Sequence, residues 1–263
     1  MSNFTLRLIF GALYVAIMVA GAVLDHPWFS VLMAVLVFLS LNEMSKLAEK
    51  TSKQHQLVNP LLFGGIIVYA AFFGIREMGI TEFAIAWILQ IVALVVVYLQ
   101  LKKNGKVEYI FATLYLWLPL AGLAFWFEQY PDNNTAYILF YLITIWLYDS
   151  MAYSVGKLIG KRPIFPKVSP KKTIEGTIGG TIITVTAMYW VNLYWFNLEA
   201  NAMLLALVVV FFATFGDFVE SFMKRKLGVK DSGDLIPGHG GILDRIDSIL
   251  LSALPYLVIL LVI

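Results

Sequence analysis

Near the end of the 263-residue chain, the run FFATFGDFVESFMKRKLG carries Asp217, Glu220, Ser221 and Lys224 at spacings i, i+3, i+4 and i+7, with Phe218, Val219, Phe222 and Met223 between them. On a helix those four polar groups share one face. A second run, GGILDRIDS, repeats the device with Asp244, Asp247 and Ser248. The pattern D-x-x-acid-S therefore occurs twice, and if the two faces oppose each other up to four carboxylates converge. Two bare carboxylates about 4 Å apart repel by roughly 4 kcal/mol even at an effective dielectric of about 20. A hard cation is the natural remedy, and all-oxygen ligation suits magnesium, manganese or calcium rather than zinc. The chain has no HExxH helix, no cluster among His26, His55 and His239, and no cysteine. A zinc protease, a thiolate site and a cysteine nucleophile are all excluded.

Between the two acidic faces lies LGVKDSGDLIPGHGGILDR, rich in Gly and Pro and carrying Lys230, Asp231 and His239. Amides in such turns cradle phosphate oxygens, with cationic side chains as counter-charges. An ordinary wet helix end explains Lys224, Arg225 and Lys226 equally well, and a lone His239 beside Gly240 and Gly241 is more often structural than catalytic. A second basic stretch, Lys161 to Gly176, holds Pro163, Pro166 and Pro170 and reads as a loop.

Long apolar runs must position these groups. The chain is 60% hydrophobic and 14% charged, with a mean hydropathy of +0.81, whereas soluble domains are about a quarter charged. Apolar runs fall at 6–24, 28–47, 60–75, 81–101, 109–127, 135–159, 177–196, 200–220 and 246–263. Each approaches the length a bilayer-spanning helix needs. The run Leu8 to Leu24 lacks a small-x-small cleavage site and reads as a retained first span. Gly64-Gly65, Gly176 and Gly179-Gly180 read as packing glycines that let spans approach. The expected fold is an all-α polytopic membrane protein of about nine transmembrane helices. It forms one integral membrane domain, with N-terminal helices over 1–134 and the chemistry over 135–263.

Orientation follows from the basic residues, because cytoplasmic loops retain Lys and Arg. Placing the N-terminus and every second connection on one side collects 18 of the 19 Lys and Arg residues there, and only Arg76 falls on the other side. The N-terminus and both basic loops are therefore expected in the cytoplasm.

The run Ser221 to Asp247, SFMKRKLGVKDSGDLIPGHGGILDRID, resembles the signature of phosphatidate cytidylyltransferases, the CDP-diacylglycerol synthases. It has S, a variable and an apolar residue, KR, four residues, KD, and an apolar-Pro-x-HGG-apolar-x-DR-apolar-D ending. Val168 to Gly180, VSPKKTIEGTIGG, is similar to that family's SPKKT-x-EG segment, and Asp149 to Tyr153 resembles its D-[ST]-x-A-Y segment. Ile174, Tyr148 and Met151 depart from the family's usual residues and bear on the pocket's shape.

The resemblance implies an enzyme that turns CTP and phosphatidate into CDP-diacylglycerol and pyrophosphate; a bacterial plasma membrane is the expected location for so compact a chain, and the basic count puts the site on its cytoplasmic face. The resemblance also implies magnesium beside a monovalent cation such as potassium, held by Asp217 and Asp244 with Glu220 and Asp247. Lys224 and these aspartates would be catalytic. Ser169, Lys171, Lys172, Thr173, Arg225, Lys230, His239, Arg245 and Asp149 would bind substrates. The bilayer and a second copy of the chain are the expected partners; nucleic acid is not. The rival reading is an ion-coupled transporter using Asp149, Asp217 and Asp247. No inverted repeat of broken helices accompanies it, and the D-G-x-x-A-R signature of alcohol phosphatidyltransferases is absent.

The topology is testable in this cysteine-free chain. Single cysteines placed in 161–176 or 224–243 are expected to resist impermeant thiol reagents added outside intact cells, and labelling from outside would overturn the orientation.

Overall fold

The computed structural model describes residues 3–24, 27–49, 79–104, 109–130, 134–236 and 240–263. The expected span over 60–75, with Gly64-Gly65, lies outside them, as do His26, His55, Arg76 and His239. Among the described residues are eight α-helices: α1 (Asn3–Val23), α2 (Trp28–Glu49), α3 (Ile80–Asn104), α4 (Tyr109–Gln129), α5 (Asn134–Ile159), α6 (Ile174–Val191), α7 (Ala202–Lys226) and α8 (Leu243–Leu260). One π-helical turn, Asn192–Phe196, extends α6.

Four helical stretches, Trp28–Leu47, Ile80–Gln100, Asn134–Ile159 and Ala202–Lys226, are long and apolar enough to cross a membrane, and Leu8–Val23 is apolar but shorter. Composition thus supports four of the nine expected spans within the described residues. Three acidic or basic residues open α8 (Asp244, Arg245 and Asp247), which lowers its apolar character without shortening it.

Helices α4 and α8 form the centre. Helix α4 is apolar on nearly every face, and so is α8 beyond its charged first turns; an all-round apolar helix has to be buried. Leu116, Leu120 and Leu123 of α4 and Ile246, Leu250 and Leu254 of α8 are almost wholly inaccessible. Around them α3 exposes Ile85, Ile88, Val92, Val95 and Leu99 at helical spacing. Contiguous apolar stripes of this kind are rare on soluble proteins and suit lipid. This is the outer face of an integral membrane protein.

Lipid tails are as apolar as leucine, so burial alone does not draw such helices together; close packing and buried polar ties do. A Cβ on Gly180 would lie 2.7 Å from the backbone N and Cα of Ala152, and one on Gly176 would lie 2.7 Å from the Ala152 carbonyl oxygen. The expected packing role of Gly176 and Gly180 is borne out: they seat α6 against α5. Gly216 does the same for α7 and α8, since its Cβ would come within 2.4 Å of the Asp247 carbonyl oxygen. Buried Gln90 of α3 donates to the carbonyl oxygens of Tyr115 (3.4 Å) and Leu250 (2.5 Å). The Tyr148 hydroxyl meets Thr214 Oγ1 at 2.6 Å and ties α5 to α7.

The basic stretch 161–176, read as a loop, is instead a small antiparallel hairpin, β1 (Pro163–Phe165) and β2 (Ser169–Thr173), leading directly into α6. Proline is tolerated in such two-stranded edges, where a missing N–H loses no central ladder bond. Glu175 fastens the hairpin's base by accepting from the amides of Lys161 (3.0 Å) and Arg162 (3.1 Å) and from Arg162 Nε (2.9 Å). The Thr173 side chain then caps α6 by accepting from the Gly176 amide at 3.1 Å.

Gly180→Val is expected to cost about 1–3 kcal/mol through overpacking against α5. Ile182→Ala, on the exposed face of the same helix, should change stability by no more than about 0.5 kcal/mol. Thermal unfolding of both variants in one detergent checks the contrast.

Candidate active site

Helix α7 carries its polar face to the end where the hairpin, α8 and the glycine-rich loop meet. Phe165 of β1 stacks on Phe218 of α7 with ring centroids 3.8 Å apart, which lays the hairpin across the helix beside Asp217. From β2, Lys172 reaches over and forms an ion pair and hydrogen bond with Asp217. Asp217 also accepts from Ser221 Oγ at 3.3 Å, one turn further along the same face. Burial works against the charge on Lys172. Asp217 outweighs it, and with the fields of Asp149 and Asp247 the ammonium's pKa is held above the ordinary lysine value.

Three carboxylates therefore surround one ammonium. Asp149 interacts electrostatically with Lys172, Asp217 and Arg245, and Asp247 with Asp217, Asp149 and Lys172. Asp149 is exposed in the isolated chain while Asp217 and Asp247 are half-buried. Asp149, Lys172, Asp217 and Asp247 thus form one partly accessible charged cluster. With Lys172 and Arg245 against three acids, the cluster carries surplus negative charge.

A second group sits deeper. Lys224 Nζ lies 2.5 Å from Glu220 Oε2 and 2.5 Å from Asp244 Oδ1, and the three side chains are only 13%, 4% and 7% exposed. Glu220 precedes Lys224 by one helical turn, so the lysine is held by its own helix and by α8 together. Neither Glu220 oxygen accepts a regular hydrogen bond. Asp244 Oδ2, by contrast, accepts from the Gly241 amide (2.8 Å), the Ser232 amide (2.9 Å) and Ser232 Oγ (2.9 Å). The bond to Gly241 reaches back three residues and satisfies an amide that the first helical turn cannot. Gly240 allows this: its φ of +83 belongs to the left-handed region, and a Cβ there would lie 2.4 Å from Asp244 Oδ2.

The twin acidic faces expected from the sequence thus do meet, but through a lysine, Lys224 between Glu220 and Asp244, while Asp217 pairs with Lys172 of the hairpin. Among the described residues no three acidic or histidine side chains are grouped as ligands of a single ion. Arg245 is half-buried, and its carbonyl oxygen accepts from the Tyr14 hydroxyl at 3.0 Å. Lys171, Arg225 and Lys230 stand exposed at the rim, with Arg225 Nη1 donating to the Val229 carbonyl oxygen at 3.1 Å. Ser169 pairs with Phe165 across the hairpin, and Thr173 is a helix cap. His239 lies outside the described residues.

Sequence reasoning passed over three residues here. Ser232 bridges two carboxylates, Tyr14 ties α1 to α8, and Glu43 of α2, 6% exposed, accepts from Ser232 Oγ (3.0 Å), the Ile242 amide (2.7 Å) and the Leu243 amide (3.0 Å). Glu43 did leave a signal, an ionisable residue inside an apolar run, which is costly and therefore usually has a role.

Comparison with known proteins adds an independent finding. Residues 5–263 match the model of the Cytidylyltransferase family. The chain is similar to proteins named phosphatidate cytidylyltransferase from Staphylococcus haemolyticus (45% identical over 145 residues, 54% of this chain and 55% of the relative) and Staphylococcus aureus (44% over 146 residues, 54% of each). Another from Staphylococcus epidermidis is 43% identical over 145 residues, 54% of this chain and 55% of the relative. The chain spans about half the length of these curated relatives.

Lys224→Ala would leave Glu220 and Asp244 buried without their cation, and removal of one partner of a buried pair costs about 3–5 kcal/mol. The expected result is a large fall in thermal stability, measured in detergent, where Lys230→Ala at the exposed rim has almost no effect.

Proposed function

This chain belongs to the cytidylyltransferase family, and from that premise we propose that it joins CTP to phosphatidate, giving CDP-diacylglycerol and pyrophosphate. The observation that carries the reading is the contact of Lys172 with Asp217, which brings the SPKKT hairpin onto the acidic face of α7 with Asp149 beside both. Three segments far apart in sequence thereby meet in one charged cluster, which supports the reading. An ion-coupled transporter gains no support from the family match, and the charges gather where helices α7 and α8 meet a hairpin and a loop.

The reaction makes one demand above all. A phosphomonoester brings about 1.5 to 2 negative charges and a nucleoside triphosphate brings more, so two anions must be pressed together. Catalysis of such a displacement consists of positioning and charge neutralisation. The lipid phosphate oxygen attacks the α-phosphorus of CTP, the bond to the bridging oxygen breaks, and pyrophosphate leaves. The attacking oxygen is already anionic and needs no general base. Lys172 and Lys224 are held at the centre by carboxylates and present ammonium charge to the phosphates. Lys171, Arg225 and Lys230 draw the anions in from the rim, and half-buried Arg245 adds its charge further in.

The carboxylates offer only oxygens and outnumber the cations among them, which suits a hard cation. Magnesium is commonly bound by one or two carboxylates, with substrate phosphates and water completing its shell, so the proposed ligands are Asp217 and Asp244, which would exchange their lysine partners for the ion, with Glu220 and Asp247 as further ligands or supports. When bound, the ion would supply charge neutralisation to the reacting phosphates. A monovalent ion beside it, nine spans and a cytoplasmic N-terminus complete the proposal; the 18-to-1 distribution of basic residues supports that orientation.

The test is direct. Purified protein given labelled CTP and phosphatidate with magnesium is expected to form CDP-lipid. Asp217→Asn and Asp244→Asn should each lower turnover about 10²-fold or more, in the range of losing a group that stabilises transition-state charge. Folded wild-type protein that forms no CDP-lipid would overturn the reaction, and near-normal turnover in both variants would overturn the residue assignment.

A further inference from the structure

We propose that Glu43, on α2, is a positioning residue that sets Asp244 and the glycine turn before α8 in their working geometry. The proposal rests on the reading of Asp244 as part of the active site.

Three observations carry it. The Glu43 carboxylate receives the amides of Ile242 and Leu243 and the hydroxyl of Ser232, and no lysine or arginine among the described residues forms an ion pair with it. Its partners are the last residue of the turn, the first residue of α8, and the serine that also serves Asp244. Consecutive amides at the helix start divide between two acids, Gly241 to Asp244 and Ile242 and Leu243 to Glu43. Between them these carboxylates satisfy amides that the first turn of a helix leaves unpaired.

Ser232 couples the two acids directly. Its Oγ lies 3.0 Å from Glu43 Oε2 and 2.9 Å from Asp244 Oδ2, and a hydroxyl has one proton to share between them. Any movement of Glu43 therefore changes what Asp244 receives. The glycines agree with this arrangement. A Cβ on Gly241 would lie 2.4 Å from both Glu43 oxygens, and one on Gly233 would lie 2.7 Å from Oε1. Two backbone segments close around the carboxylate, and only residues without side chains fit there.

Glu43 itself is buried, so it acts through Asp244 and not on substrate. Losing an outer partner of a metal-ligating or catalytic group commonly costs about 10- to 100-fold in affinity or activity. Glu43→Gln keeps the size but sets an amide N–H₂ against the Ile242 or Leu243 amide, donor against donor. The expected result is kcat lowered about tenfold or more, with KM for CTP nearly unchanged. In the same protein without substrate, hydrogen exchange at residues 241–247 should quicken while the rest of α8 keeps its protection.

If Glu43→Gln fails to fold, Gly233→Ala carries the test, because its Cβ displaces the same carboxylate without changing any charge, and it should show the same faster exchange and lower kcat. Turnover per folded molecule equal to wild type, or unchanged exchange at 241–247, would overturn the proposal. Wild-type protein that forms no CDP-lipid would defeat the proposed reaction instead, and exchange, which needs no substrate, would still decide whether Glu43 holds the turn.

Discussion

Like charges crowded at the edge of a hydrocarbon slab have to be held apart or compensated, and the C-terminal half of this protein is built around that constraint. Asp149, Asp217 and Asp247 share the field of Lys172, and Glu220 and Asp244 share the ammonium of Lys224. Each lysine does two things at once. It lowers the cost of gathering acids at that depth, and it joins elements that apolar packing alone would leave free to slide, the hairpin to α7 and α7 to α8. The close approach of α7 to α8 at Gly216 and the stack of Phe165 on Phe218 then fix the distances over which those charges act.

Much of this was legible in the amino-acid order. The i, i+3, i+4, i+7 spacing of Asp217, Glu220, Ser221 and Lys224 does place them along one face of α7, and the second acidic face does begin a helix. Helical spacing is a local property, and local properties survive translation from sequence to structure. What the spacing does not encode is which cation lies between the faces. Lys172 arrives from a hairpin 45 residues upstream of Asp217, and nothing in either segment alone names the other.

The misreadings have physical causes as well. Three prolines made 161–176 read as a loop, because proline denies a strand its amide; a hairpin with only two strands has free edges and loses little by it. Glu43 went unremarked because its carboxylate acquires meaning only against amides 199 and 200 positions away. Ser232 was the one serine in a loop whose glycines, lysine and histidine drew the attention. Long-range partners of this kind are set by how helices assemble, which composition and periodicity do not report.

The separation between Glu43 and α8 also bears on how the chain comes into being. A ribosome adding about 5–20 residues each second would take roughly 10 to 40 s to make the 199 residues between Glu43 and Ile242. For that interval α2 holds a carboxylate that its eventual partners cannot yet reach. A charge inside an inserting helix costs about 2.5–3.5 kcal/mol, so newborn α2 is a poorly settled segment, free to slide toward water or lean on a chaperone. The amides that receive this carboxylate are synthesised only with the start of α8, so a chain cut short before α8 would carry a helix whose polar anchor has nothing to grasp.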